Sequence, residues 1–110
     1  MRAMIAWWAL DDSDQTIDSL RDFLRDEAVD AWALVRGMPL KFWIADRENN
    51  RWGAVMLWES AEAAAPPLPR SPAELIGYPP THRTWFDIEA VIEGIHSLPP
   101  LAGLGLALDT

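Results

Sequence analysis

Residues 39–60 read PLKFWIADRENNRWGAVMLWES, and this stretch holds three of the seven tryptophans in the chain. Two apolar segments flank a polar run at 46–51, which is typical of two strands joined by a turn. Asn49 and Asn50 favour a two-residue turn of the mirror-image type, because asparagine tolerates a positive φ. The stretch therefore predicts an antiparallel hairpin.

The asparagine turn fixes which residues of the two strands face each other. Lys41 then lies opposite Trp58, and Trp43 lies opposite Met56 on the same face of the hairpin. The other face carries four further apolar side chains: Phe42, Ile44, Val55 and Leu57. Because both faces are apolar, we expect both of them to be covered.

From residue 14 onward the apolar residues recur every three or four positions, which predicts an amphipathic helix over 14–35. Ser13 or Asp12 can cap its N-terminus, and Gly37 can take the left-handed conformation that stops it. Trp32 lies beside the apolar stripe near the helix end. The stripe itself consists of apolar residues spaced three or four apart: Ile17, Leu20, Leu24, Ala28, Ala31 and Val35.

Three further segments complete the predicted elements. The apolar run 3–10 predicts a first strand, since it leads into acidic residues and lacks the small-residue cleavage site of a signal peptide. Prolines at 66, 67 and 69 break the second helix into short pieces at 60–65 and 71–76. The sequence THRTWFDIEAVI at 81–92 alternates as a fourth strand, with His82 and Trp85 on opposite sides.

The order strand, helix, strand, strand, broken helix, strand predicts an α+β fold of the ferredoxin-like split βαβ type. We expect one domain over 1–110, with residues 95–110 forming an apolar C-terminal tail. Helices in this plan cover one face of an antiparallel sheet. The simplest cover for the other face is the same face of a second copy, which predicts a homodimer that buries at least ~800 Å² per subunit.

The composition restricts the kinds of partner that the chain can bind. A formal charge of −8 argues against nucleic acid and against an anionic membrane, because both repel an acidic surface. No stretch approaches the ~20 apolar residues of a membrane span, and the chain has no cysteine. We favour a cytoplasmic protein. Seven tryptophans are hard to bury in one modest core, so some are expected to line a pocket or an interface.

Cofactor motifs are missing from the sequence. It has two histidines without metal-ligand spacing, and it has neither a phosphate-binding loop nor a dinucleotide fingerprint. We therefore expect neither flavin nor metal, and a small hydrophobic or aromatic molecule as the ligand.

Three segments resemble the YdhR-like mono-oxygenase family of the dimeric α+β barrel superfamily, which includes antibiotic-biosynthesis mono-oxygenases. They are GMPLKFWIAD, WGAVMLWES and GYPPTHRTWFDIEAVIEG. The resemblance implies a homodimer with facing sheets and cofactor-free oxygenation of an aromatic or polyketide-like compound. The sequence departs from the family in its proline-broken second helix and in Met56, where an aromatic residue is expected. The resemblance is most specific at five residues: Lys41, Trp43, Gly53, Trp58 and Glu59.

Two residues are candidate catalytic bases. Lys41 beside an indole could orient an oxyanion or remove a proton, although an edge lysine with its ammonium in water is the alternative. His82 is a candidate because histidine is the residue type that most often acts as a general base, and a structural or exposed histidine is the alternative. The candidate substrate-binding residues, which could equally be plain core, are Trp32, Trp43, Met56, Trp58 and Trp85.

Two functions remain open. One is a cofactor-independent mono-oxygenase with a tryptophan-lined pocket. The other is a noncatalytic protein that binds a hydrophobic small molecule or simply dimerises. A polar group enclosed in the pocket would favour the enzyme.

Overall fold

The computed structural model describes residues 1–96 and 101–109. Its four strands form one sheet in the order β2-β3-β1-β4, and every neighbouring pair is antiparallel. This is the predicted ferredoxin-like α+β fold, which is thereby confirmed. The elements are β1 (Arg2–Ala9), α1 (Ile17–Phe23), a π-helical segment (Leu24–Ala28), α2 (Val29–Ala33), β2 (Leu40–Asp46), β3 (Arg51–Trp58), a 3₁₀ turn (Glu62–Ala64), α3 (Pro72–Ile76) and β4 (His82–Asp87).

The first helix begins later than predicted. Thr16 is the N-cap, and it forms a capping box with Ser19 in place of the expected cap at Ser13 or Asp12. Ser13 has other partners, because its hydroxyl donates to the Ile76 carbonyl and accepts from the backbone N–H of Gln15. Its side chain ties the helix entrance to α3.

The π-helical segment changes which side chain is buried at the helix end. The predicted stripe holds through Leu24 and Ala28, but Trp32 then takes the buried position, with 7% of its surface exposed. Ala31 and Val35 are only partly buried. A π turn contains more residues than an α turn, so the buried face moves on by one residue. The indole of Trp32 is thereby directed into the core.

The predicted register of the hairpin is wrong by two residues. Lys41 pairs with Met56 rather than with Trp58, and Trp43 pairs with Ala54. The connection is a four-residue turn over 47–50 that follows the pairing of Asp46 with Arg51. The Asp46 carboxylate stabilises this longer turn by accepting hydrogen bonds from Asn49, at 3.3 Å from its backbone nitrogen and 2.7 Å from its side chain. Since side chains alternate with a period of two, the shift leaves every side chain on its predicted face.

The sheet has a covered face and an open face. The covered face packs against the helices through seven buried side chains: Met4, Ala6, Trp8, Trp52, Ala54, Met56 and Trp58. On the open face Phe42, Ile44 and Phe86 are 47%, 40% and 47% exposed. Together with Ile5, Trp7, Val55 and Leu57, these three form what we call the open-face patch.

The predicted break in the second helix is confirmed. A 3₁₀ turn and α3 replace it, with Ser71 capping α3 and Gly77 ending it at φ 104°. Residues 88–96 and 101–109 contain no helix or strand, and Ala107 packs against the core. Part of the predicted apolar tail, 97–100 and 110, lies outside the described residues. No helix in the described part of the chain is both long and apolar enough to cross a membrane.

Gly53 is predicted to be indispensable at the centre of the sheet. A Cβ there would lie 2.1 Å from the Ala6 carbonyl oxygen and 2.7 Å from the Trp7 Cα, so the strands would have to separate. Gly53→Ala should lower the free energy of unfolding by at least ~2 kcal/mol in urea denaturation. Gly94→Ala is the matched control, because a Cβ at Gly94 has no atom within 4 Å. Equal stability of the two variants would contradict this assignment.

Candidate functional site

Lys41 lies on the covered face of β2 with its ammonium group among indole rings. Its Nζ is 3.1 Å from the centroid of the Trp32 ring and 4.8 Å from that of Trp43. No carboxylate within the described residues forms an ion pair with it. The side chain is partly buried, although β2 is an outer strand of the sheet.

The surroundings of Lys41 change its acidity. Burial lowers the pKa of the Lys41 ammonium from 10.5 to about 7, because the charged form loses its hydration. The faces of Trp32 and Trp43 act in the opposite direction, since their π electrons attract a cation. An amine with a pKa near neutrality can accept and release a proton at physiological pH.

Met56 and Trp58 form the floor beside Lys41. Met56 lies directly across the strand pair, and Trp58 follows it two residues later on the same face. Trp58 is completely buried, yet its Nε1 has no hydrogen-bond partner in the described part of the structure. By contrast, the indole nitrogen of Trp8 donates to the Tyr78 carbonyl at 3.0 Å. Trp58 thus supplies a buried donor without an acceptor, and such a group costs free energy until an acceptor binds.

His82 and Trp85 lie away from this group of residues. His82 is exposed on the open face, where its ring stacks on Trp7 with centroids 5.8 Å apart and its Nε2 lies 2.7 Å from the Thr84 hydroxyl. Trp85 lies on the covered face beneath the Arg2 guanidinium, which is 5.2 Å from the ring centroid. Both residues belong to β4, which β3 and β1 separate from β2. The predicted site residues therefore fall into two groups, and Lys41, Trp32, Trp43, Met56 and Trp58 form the larger one, called here the lysine cluster.

Two surface depressions lie elsewhere in the described part of the chain. One, of about 200 Å³, lies near the hairpin turn beside Trp7 and Arg51, with the Arg51 guanidinium 4.5 Å from the Trp7 ring centroid. Sequence reasoning did not single out this arginine–indole pair, although the pairing of β1 with β3 places both residues on one face. The other, of about 460 Å³, lies between Leu34 and the proline-rich segment 66–69. Within the described residues no three His, Asp or Glu side chains are grouped as metal ligands would be.

Comparison with known proteins supports the fold. The chain is similar in structure to SnoaB, a cofactor-independent oxygenase from Streptomyces nogalater crystallised in a mutant form. The TM-score is 0.55 at 12% sequence identity, and the match covers 84% of this chain and 97% of SnoaB. No family model matches the sequence, and no curated protein matches it significantly. The two chains therefore share the ferredoxin-like α+β fold.

The depressed pKa of Lys41 predicts a pH-dependent difference between the native protein and Lys41→Met. Between pH 7 and 10.5 the unfolded chain binds a proton that the folded chain lacks, so this group makes the native protein more stable as the pH rises. Lys41→Met removes that proton but keeps much of the aliphatic stem. We expect the variant to be the more stable of the two at pH 7, with the gap narrowing by up to about 1.4 kcal/mol per pH unit towards pH 10.

Urea denaturation of both proteins at pH 6, 7, 8, 9 and 10 measures this gap. All other titrating groups cancel in the difference between the two proteins. A gap that does not change with pH would show that the lysine keeps its ordinary acidity.

Proposed function

We propose that the chain is a subunit of a cofactor-independent mono-oxygenase that resembles the YdhR-like family and acts on a small aromatic or polyketide-like compound. The observation that carries the proposal is the lysine cluster, in which a partly buried amine lies against Trp32 and Trp43. Trp58, whose Nε1 has no hydrogen-bond partner among the described residues, lies on the same face of the sheet. The shared fold with SnoaB, itself a cofactor-independent oxygenase, supports the reaction type.

Each group in the cluster has a chemical task in such a reaction. The neutral amine of Lys41 takes a proton from a phenol or enol, and the resulting ammonium stabilises the oxyanion. The Trp58 N–H can donate to the same oxygen, and the indole faces hold a planar ring. The electron-rich anion passes one electron to O₂, and the resulting radical pair combines to a peroxide. This route requires no flavin or metal.

A ligand would reach the cluster from the edge of the sheet. β2 is an outer strand, and both Lys41 and Trp43 are partly exposed there. Trp32, Met56 and Trp58 lie deeper, at 7%, 5% and 0% exposure. Their close packing favours the second candidate, a noncatalytic protein in which the same residues are only core and the open face serves dimerisation.

The assembly proposed for either function is a homodimer through the open face. The open-face patch spans all four strands and includes Phe42 at one edge and Phe86 at the other. Two such faces packed ~10 Å apart remove each other's apolar side chains from water. An identical face satisfies the need for a self-complementary surface.

The dimer is tested by light scattering at micromolar concentration. We expect twice the mass of the 12.4 kDa chain for the native protein and a monomer for Phe42→Asp, which places a charge inside the interface. Leu34→Asp is the matched control, since Leu34 is 84% exposed on the helix side, and it should remain a dimer. A native monomer would rule out the assembly.

The catalytic proposal is tested by oxygen uptake with 1-naphthol as the probe. Lys41→Met should reduce the turnover rate by about 10²-fold or more, because the base is lost. Trp58→Phe keeps an aromatic ring but removes the N–H, and should reduce the rate by about tenfold or more. Ligand binding is followed separately by quenching of tryptophan fluorescence. Binding without oxygen uptake, in a folded native dimer, would favour the noncatalytic alternative.

A further inference from the structure

Lys41 is the single lysine among 110 residues. Its nitrogen lies against two indole rings, and no described side-chain oxygen pairs with it or accepts a hydrogen bond from it. A lysine that served only solubility would project into water, where this acidic chain offers 17 carboxylates for pairing. The amine is instead partly buried against two indoles, away from those carboxylates.

We propose that Lys41 is a nucleophilic amine that captures small aromatic aldehydes and ketones as a covalent imine. This reactivity goes beyond the oxygenase proposal and does not depend on it, because it consumes no oxygen and needs no proton from a phenol. It assigns to the lysine cluster a binding mode for carbonyl compounds.

The reaction balances without any further reactant. The lone pair of Nζ attacks the carbonyl carbon, the new C–N bond forms, and the C=O π electrons move to oxygen. The nitrogen loses its two protons, and the oxygen takes up two and leaves as water. The net change is amine plus carbonyl compound to imine plus water, with no oxidation or reduction.

The geometry favours this product for flat, apolar carbonyl compounds. The ring centroids of Trp32 and Trp43 lie 3.1 Å and 4.8 Å from the nitrogen, so an aromatic ring attached to the carbonyl carbon is brought close to aromatic surface as the bond forms. Met56, across the strand pair, adds a polarisable apolar contact.

The acidity of the amine supports the same conclusion. Its pKa of about 7 leaves a large unprotonated fraction at neutral pH, whereas a lysine in water near 10.5 is almost wholly protonated. The α-amino group of Met1 is the other amine in the chain and serves as an internal reference. The lysine should therefore compete with the N-terminus in the folded protein and lose to it in the unfolded chain.

The experiment traps the imine by reduction. The full chain is incubated under nitrogen at pH 7 with 4-hydroxybenzaldehyde and sodium cyanoborohydride, whose hydride converts the C=N bond to a stable secondary amine. Peptide mapping by mass spectrometry then compares the labelling rates at Lys41 and Met1. We expect the ratio of Lys41 to Met1 labelling to be at least about tenfold higher in the folded protein than in 8 M urea.

Two variants refine the result. Lys41→Arg should leave labelling at Met1 alone, because a guanidinium does not form the imine under these conditions. Trp32→Leu should lower the Lys41 rate towards its value in urea. The comparison of the unmutated chain in its folded and urea-unfolded states does not depend on whether Trp32→Leu folds.

The outcomes separate this inference from the oxygenase proposal. Labelling of Lys41 that is no faster in the folded protein than in urea, or confined to Met1, overturns the nucleophile. Strong labelling at Lys41 with no oxygen uptake supports the nucleophile and counts against the oxygenase. Oxygen uptake without labelling of Lys41 supports the oxygenase and overturns the nucleophile.

Discussion

The antiparallel pairing of β1 with β3 is the constraint on which the other elements depend. It joins eight residue pairs from Arg2 with Trp58 to Ala9 with Arg51, across some fifty residues of chain. The pairing decides which side chains of both strands face the helices. β2 can then add only at the free edge of β3, and β4 only at the free edge of β1. The lysine cluster is consequently placed at one end of the sheet, and His82 at the other.

Much of the fold could be predicted because successive side chains of a strand point to opposite faces of the sheet, so the apolar pattern shows which residues share a face. The asparagines suggested a tight turn, yet Asp46 accepts hydrogen bonds from Asn49 and stabilises a longer one. The resulting shift of two residues changed the partner of Lys41 from Trp58 to Met56 and left the faces intact. An error of one residue would have moved Lys41 to the open face. The prediction of faces is therefore more robust than the prediction of pairs.

The candidate site was harder to predict, because it depends on contacts between elements. Trp32 meets Lys41 at the end of a helix that contains a π-helical segment, and no residue type in the segment 24–28 predicts that irregularity. His82 is a residue type that often serves as a base, but its alternation with Trp85 places it on the opposite face from the cluster. Residue type suggested two bases, whereas topology brings only Lys41 to the tryptophans.

Arginine and lysine occupy different environments in this chain, and this difference gives a physical reason for the single lysine. Every ion pair within the described residues uses an arginine, for example Arg47 with Asp18 and Arg70 with Glu27. A guanidinium stays charged at any pH the fold tolerates, so it suits permanent pairing with carboxylates. A lysine among those same carboxylates would be held in its charged form. Placing the single amine on the covered face separates it from the acidic surface, and its burial there lets it lose its proton near neutrality, against the attraction of the Trp32 and Trp43 faces for the cation.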